Sequence, residues 1–354
     1  MSDRYELIAT LWPGFAHFPE YAIDSRIDGI RVNPATIPIE ELETAILNLN
    51  VRNARVPLFY DVKGRQLRIE EVHPFPDHLE VTLNHPIRVD LSDPRARIVA
   101  FKAGADFGTL DRLEDGGRRL IFRDGRSFGP QYKVNHGESL HIRHPSLEVL
   151  GNLFTDHELR KIEAAKRAGF TRFFFSYTES QSDIDQLRDL VGNDTEIWLK
   201  IENEKGLQFV RDEFQKTDNT TLVAARGDLF IEMPRPHDIL KAVKLIIEKD
   251  SEACVGSRIL LSIATRPMPP PEKLRALKAL EQLPLKPGAD TEALRELIVR
   301  IFHDPTPSCA DFSELAWLAE IGYRRFLLCD ELCLDRNLLS TAINAFRAFE
   351  HAYT

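Results

Sequence analysis

Cysteine is scarce. The 354 residues hold four of them, Cys254, Cys309, Cys329 and Cys333, too few for a disulfide framework in a chain of this length. Cys329 and Cys333 have a spacing that suits a metal, but no second Cys or His pair completes a ligand set, which sets a structural zinc aside. Long apolar runs are absent as well: none approaches the about 18 residues that a bilayer crossing requires. The N-terminus, MSDRYELIATLWPG, is charged from its third residue and has no signal-type apolar core. A cytoplasmic protein without membrane attachment is expected. Positive charge is in deficit, with a formal net charge of -9. Nucleic acid is therefore excluded as the main partner, because phosphate backbones demand concentrated positive charge. Isolated basic pockets for small anions stay open. No Gly-rich dinucleotide turn and no GxxxxGK loop occurs, which weighs against a doubly wound nucleotide-binding sheet.

Apolar residues, by contrast, are plentiful: 43% of the chain is hydrophobic and 21 residues are Phe, enough for a large core. Short apolar runs at 5–12, 29–35, 56–63, 170–177, 196–202, 221–228, 258–265 and 324–331 read as strands. Amphipathic helical patterns lie between most of them, such as DHELRKIEAAKRAG and PHDILKAVKLIIEKD. Eight strands alternating with helices predict an α/β fold with a parallel sheet closed into a (β/α)8 TIM barrel. Two stretches break the rhythm. From about 70 to 140, short alternating runs and the turn signals EDGG and RDGRSFG predict a small all-β domain inserted after strand three. Residues 267–305 open with PMPPPEKLRALKAL and predict an insertion after strand seven. The expected organisation is thus a barrel over 1–69 and 141–354, with a lid-like β domain over 70–140 between its two parts.

The segment EIWLKIENEKGL (196–207) carries the functional question. A buried strand here runs into Lys200 and Glu202, two residues apart and so on one face. A surface salt bridge would explain that pair alone. Reading the C-terminal ends of the other strands, however, gives Arg31 and Asn33, Asp61 and Lys63, Ser176, Arg226 and Asp228, Thr265, and Glu331. In a barrel of this kind the strand ends form the active site. Glu202 and Asp228 are hard oxygen ligands at the ends of neighbouring strands, a donor set suited to Mg²⁺ completed by substrate and water. Lys200, Arg31 and Arg68 are cations suited to a multiply charged anion such as a phosphorylated carboxylic acid. A metal at this mouth would stabilise an enolate as a Lewis acid.

These segments resemble the pyruvate kinase family. WLKIENEKGL and LVAARGDLFIEMP look like its Lys-Ile-Glu-Asn and Ala-Arg-Gly-Asp-Leu segments, and IDGIRVN and DVKGRQLR like its Arg-x-Asn and Asp-x-Lys-Gly-x-x-x-Arg segments. LLSIATR resembles the strand ending in Ala-Thr, and SCADFSELAWLAEIGYRRFLLCDE the last strand with its preceding helix. The resemblance implies that Lys200 neutralises charge on a transferred phosphoryl group. It implies Mg²⁺ or Mn²⁺ on Glu202 and Asp228, and Thr265 near the enolate carbon where a proton is delivered. Arg31 and Arg68 would contact phosphate, the backbone N–H groups of Gly227 and Asp228 would receive the substrate carboxylate, and Asn33 and Asp61 would belong to a monovalent-cation (K⁺) site. The implied partners are a small phosphorylated or 2-oxo acid and ADP/ATP, with a homo-oligomer through barrel contacts.

The departures are specific. Where the family usually has Phe-Ser-His after Arg-x-Asn, this chain has Pro34, Ala35 and Thr36, losing a potassium ligand and a nucleotide contact. Gln66 stands where potassium-dependent members carry Glu, and Phe230 replaces a Gly beside the carboxylate-binding turn. Cys329, Asp330, Glu331 and Leu332 replace Ser-Gly-Glu-Thr. The chain ends after the helix that follows strand eight, so the family's C-terminal regulatory domain and its sugar-phosphate control are expected to be absent. The metal and phosphate half of the site is retained and the nucleotide half eroded. Three functions follow: phosphoryl transfer between phosphoenolpyruvate, or a related enol phosphate, and ADP; a Mg²⁺-dependent lyase, aldolase or decarboxylase acting on a 2-oxo acid without nucleotide; or a non-catalytic descendant that binds an anion or a partner protein. His141 and His144 in HIRH are expected in a surface loop, and His303 has no evident partner. Arg126, Tyr132 and Lys133 in the small domain are candidates for shielding the reaction from water.

Overall fold

The computed structural model describes residues 4–35, 37, 39–49, 51, 54–101, 104, 106–123, 134–264 and 306–353. Three strands come first: β1 (Glu6–Thr10), β2 (Gly29–Val32) and β3 (Leu58–Lys63). Eight more follow: β4 (Ile69–Pro74), β5 (Leu79–Leu83), β6 (Ile87–Arg88), β7 (Ile98–Phe101), β8 (Asp106–Glu114), β9 (Arg119–Phe122), β10 (Leu140–His141) and β11 (Glu148–Val149). The chain then continues through β12 (Arg172–Ser176), β13 (Glu196–Ile201), β14 (Thr220–Ala225), β15 (Cys254–Gly256) and β16 (Arg325–Leu327).

β1 to β3 and β12 to β16 all run parallel, and β1 pairs with both β2 and β16, which closes an eight-stranded barrel. The expected (β/α)8 architecture is therefore the observed one. Helices such as Asp156–Ala168, Gln181–Val191 and Arg336–Tyr353 cover its outside. Their ends follow from local chemistry. Thr155 accepts the Glu158 N–H at the start of the first, and Gly169 ends it at φ +92°, a conformation glycine adopts without a Cβ penalty.

Strand side chains alternate with period two, and this decides what fills the barrel. Leu7, Tyr60, Phe173, Ile197 and Leu222 point outward into the main core beneath the helices. Ile8, Phe59, Phe174, Trp198, Val223, Cys254 and Leu327 point inward and form a separate apolar floor. The Phe59, Phe174 and Trp198 rings meet there with centroids 4.9–5.4 Å apart. Two residues further along the same faces come Asp61, Ser176 and Lys200, all buried. The barrel interior is thus apolar at one end and polar at the other.

The inserted unit has its own core around Leu67, Val81, Val99, Phe101, Leu120 and Phe122. Its strands form a six-stranded sheet, β10-β7-β8-β9-β5-β4, and a two-stranded one in which β11 pairs with β6. The β11 pairing carries this unit past residue 140, to Val149, before the chain rejoins the barrel at the buried Leu153.

One strand differs from expectation. The seventh barrel strand is Cys254–Gly256, not 258–265; the more apolar run that follows it forms a 3-10 turn over Leu261–Ile263. Ser257, Arg258 and Leu260 all have positive φ, between +53° and +65°, so the chain reverses immediately after Gly256. The predicted insertion at 267–305 lies outside the described residues, as do Thr265, Arg126, Tyr132, Lys133 and His303. Among the described residues, no helix is long and apolar enough to cross a membrane.

Candidate functional site

Because Trp198 enters the barrel, Lys200 enters it too, one layer higher, and Glu202 follows just past the strand end. Lys200 is 6% exposed and Glu202 1%. Lys200 Nζ donates to Ser176 Oγ at 2.9 Å and lies 2.7 Å from Glu202 Oε1. That second approach is out of line, so Oε1 is buried without an aligned hydrogen bond. Glu202 Oε2 accepts the backbone N–H of Tyr177 at 2.8 Å, which the left-handed backbone of Tyr177 (φ +54°) presents to it.

Asp228 opens the short helix Arg226–Glu232 directly after β14. Its Oδ2 accepts from Gln66 Nε2 at 3.3 Å, and its Oδ1 lies 3.5 Å from His141 Nε2. The Glu202 and Asp228 carboxyls are neighbours in the mouth, each bearing on the other's protonation. Burial, reinforced by the Asp228 charge and opposed by Lys200, pushes Glu202 up to about 7. Burial acts on Asp228 as well, but His141 and Lys200 outweigh it and hold that carboxyl below its usual range. A buried carboxylate oxygen with no aligned donor, opposite a second carboxylate, suits a hard divalent cation. The residues present therefore fit Mg²⁺ or Mn²⁺. No group of three or more His, Cys, Asp or Glu is placed to hold a metal among the described residues, so substrate and water would complete the shell.

The raised Glu202 gives a pH signature. A carboxyl that binds its proton more tightly when folded contributes stability below its unfolded value, and that contribution is lost as pH rises through about 7. A divalent cation bound at Glu202 would replace that proton. The increase in melting temperature on adding Mg²⁺ or Mn²⁺ is therefore expected to be larger above pH 7 than near pH 5, and Glu202→Gln should remove most of the difference. Calorimetric melts across that range measure it, and a metal shift independent of pH would exclude Glu202 as a ligand.

Beside this pair lies a cluster of buried cations. Arg31 donates from Nε to Asp61 Oδ2 at 2.7 Å and pairs with the same oxygen through Nη2; its Nη1 donates to Thr10 Oγ1 at 3.2 Å. Lys63 Nζ stands 2.9 Å from Asp61 Oδ2, and Lys200 Nζ 4.0 Å. Burial would raise Asp61, but Arg31, Lys200 and Lys63 together hold it far below the usual carboxylate range. Arg68 donates to Gln66 Oε1 and to the Gly137 carbonyl. Gly227 is packed against the end of β15, where an added Cβ would meet Ser257 Oγ at 3.2 Å. Arg226 is turned away from the mouth, onto Glu314 and the Ser257 carbonyl. Together Lys200, Glu202, Asp228, Arg31 and Arg68 line a cleft of about 1440 Å³ between barrel and small sheet.

His141 corrects the sequence reading. It is 2% exposed, inside the mouth rather than in a surface loop. Its Nδ1 meets Glu232 Oε1 at 2.6 Å and its Nε2 meets Ser139 Oγ at 3.3 Å; Tyr177 Oη lies 3.3 Å from Nδ1. His144 goes elsewhere, to Ser146 and Asp93, so the two histidines form no pair. His141 and Glu232, 91 positions apart, meet only because β10 returns over the helix Arg226–Glu232. The HIRH spacing was the sole sequence signal for His141, and none marked Glu232.

Residues 132–271 match the barrel domain of pyruvate kinase. The pyruvate kinase of Naumovozyma castellii is 24% identical over 304 residues, covering 75% of this chain and 58% of that protein. Pyruvate kinase 1 of Saccharomyces cerevisiae is 31% identical over 231 residues, and pyruvate kinase 1 of Candida glabrata 32% over 239, each covering 59% of this chain and 45% of the relative. The barrel, the inserted β unit and these similarities agree. They support a divergent pyruvate kinase-family protein.

It spans about half the length of the curated relatives it matches, 45–58%. Where the chain departs from the pyruvate kinase pattern, its own side chains have moved in. The buried Lys161 donates from Nζ to the Pro34 carbonyl at 3.0 Å, fixing the segment that follows Asn33. The Asn33 amide donates to Asp330 at 3.3 Å and its Oδ1 accepts the Ala35 N–H. Asp330 also approaches Arg31, at 3.7 Å. Phe230 is 37% exposed at the cleft, with the Arg258 guanidinium 5.2 Å above its ring.

Proposed function

We propose that this protein is a pyruvate kinase-like phosphotransferase, moving a phosphoryl group between phosphoenolpyruvate, or a related enol phosphate, and ADP. The observation that carries the reading is the convergence of Lys200, Glu202 and Asp228 inside the barrel mouth, with one ammonium and two carboxylates around a common space. Mg²⁺ or Mn²⁺ held by Glu202 and Asp228 supplies Lewis-acid stabilisation of negative charge on substrate oxygens. The chain's own contribution is positioning and charge neutralisation, as phosphoryl transfer requires. Lys200 Nζ, held by Ser176 Oγ, faces the transferred group. Arg31 and Arg68 add fixed positive charge to the same wall. The N–H groups at the Gly227–Asp228 turn receive the substrate carboxylate. Ser257, at the end of β15, takes the strand-end position that Thr265 was expected to occupy. A site of action in the cytoplasm belongs to the same proposal.

The test is a lactate-dehydrogenase-coupled assay with phosphoenolpyruvate, ADP and Mg²⁺. Pyruvate formation that requires both ADP and Mg²⁺ is expected. A second reading, a nucleotide-independent lyase, aldolase or decarboxylase on a 2-oxo acid, draws support from the segment after Asn33, where the chain departs from the family pattern and is held instead by Asp330 on Asn33 and Lys161 on the Pro34 carbonyl. Metal-dependent consumption of a 2-oxo acid without ADP would select it over phosphoryl transfer.

A further inference from the structure

Arg258 stands apart from other cations of the cleft. Arg31 and Lys63 meet Asp61, Lys200 meets Glu202, Arg65 meets Asp183 and Arg95 meets Asp93. Arg258 is exposed and has no carboxylate partner among the described residues; its guanidinium lies 5.2 Å over the Phe230 ring, and both residues line the cleft. The backbone enforces this placement. Ser257 and Arg258 are both left-handed, at φ +65° and +62°, a conformation that disfavours any residue with a Cβ. The buried Ile259 and Leu260 anchor the turn. Its effect is to set Ser257 against Gly227 and to carry the Arg258 side chain to Phe230, about one helical turn further along.

Phe230, which stands where the pyruvate kinase pattern has a glycine, turns this arginine into a receptor. An aromatic face attracts and pre-orders a guanidinium while leaving its edge N–H donors free. That edge matches a carboxylate, with parallel hydrogen bonds in one plane. The small sheet adds an apolar surface to the same cleft. Cross-strand pairing aligns His141, Ala100 and Phe107 on one face, with Ile98 two residues from Ala100, and the Ile98 and Phe107 side chains are exposed. We propose that the substrate is a dicarboxylic 2-oxo acid, or the enol phosphate of one, whose distal carboxylate is received by Arg258. The inference rests on the proposed function for the other end of the molecule, where the Gly227–Asp228 turn takes the first carboxylate. The carbons between the two ends then pass over Phe230. Phosphoenolpyruvate, with its single carboxylate, leaves Arg258 without a partner.

Isothermal titration calorimetry in Mg²⁺ tests this on the wild-type protein, without need of a variant. Oxaloacetate, 2-oxoglutarate and 2-oxoadipate are each compared with the monocarboxylic 2-oxo acid of equal length, in which a methyl group replaces the distal carboxylate. Phosphoenolpyruvate is titrated alongside. At the best chain length the dicarboxylate is expected to bind about tenfold or more tightly, the increment of a hydrogen bond between charged groups. Arg258→Gln should bring that ratio close to one, and Arg258→Lys, which keeps the charge but loses the planar fork, should leave it in between. Absence of a dicarboxylate preference at every length, or a preference that Arg258→Gln leaves intact, would overturn the inference. Phosphoenolpyruvate binding without such a preference would strike the inference and leave the proposed function standing. An Arg258-dependent preference without phosphoenolpyruvate binding would uphold the inference and count against phosphoenolpyruvate as the substrate. Binding by none of the acids would overturn both.

Discussion

Lys200→Met is expected to lower phosphoenolpyruvate- and ADP-dependent turnover by about 10²–10³-fold, the usual loss when a preorganised electrostatic group is removed from an enclosed site. Methionine keeps the length of the stem and the packing above the apolar floor, but removes the charge that sits 2.7 Å from Glu202 and 2.9 Å from Ser176. Without that ammonium, nothing faces the transferred group from β13. Metal binding should survive, because Glu202 and Asp228 remain. The variant needs a pH above 7 for the comparison, since Lys200 is one of the charges that favours ionised Glu202. Mn²⁺ affinity by electron paramagnetic resonance, measured beside the steady-state rate, gives the two readouts. A variant as active as the wild type would refute the role assigned to Lys200 and, with it, the phosphotransferase reading.

The second large effect is on stability. Asp61→Asn preserves shape but leaves Arg31, Lys63 and Lys200 buried around a neutral amide. Breaking a buried ion network from one side costs about 3–5 kcal/mol, here expected in urea or guanidinium unfolding. Burial already lowers Lys63, and Asp61 opposes that shift. Once Asp61 is gone Lys63 sheds its proton more easily, so the full cost appears on the acidic side of neutrality, near about pH 6. The sign of the wild-type pH dependence follows too. The depressed folded value of Asp61 contributes stability above the ordinary carboxylate range of about 3.9, lost as pH falls through it. Asp61→Asn should lack that part of the acid limb. A variant within about 1 kcal/mol of wild type would mean that the cations rearrange into solvent instead of depending on Asp61.

Much of this architecture was legible in the chain. Apolar runs marked seven of the eight barrel strands because their interior and helix-facing sides are both apolar, and the charges ending those runs stood out against them. Lys200, Glu202 and Asp228 were visible for that reason. The seventh strand was misplaced by competition between two adjacent segments. Cys254–Gly256 has three residues, while ILLSIA after it is longer and more apolar, yet the positive φ values at Ser257, Arg258 and Leu260 turn that run into a 3-10 segment. His141 was misread because its burial is a tertiary event: β10 carries it onto a helix 91 residues away in sequence. Asn33 and Asp61 were legible as residues but not in their contacts: only the fold brings Arg31 and Lys63 onto Asp61 and Asp330 onto Asn33.

The apolar floor also makes the protein its own optical probe. Of the three tryptophans, Trp12 and Trp317 are partly exposed, whereas Trp198 is 2% exposed, sealed against Phe59 and Phe174. It lies about 7 Å below Lys200 along one strand face. Charge arriving at the mouth changes the electric field across its indole ring, so binding of metal or anion shifts the emission of a fluorophore that acrylamide cannot reach. With the two outer tryptophans quenched, occupancy of the site can be followed by light alone, without label or coupled enzyme.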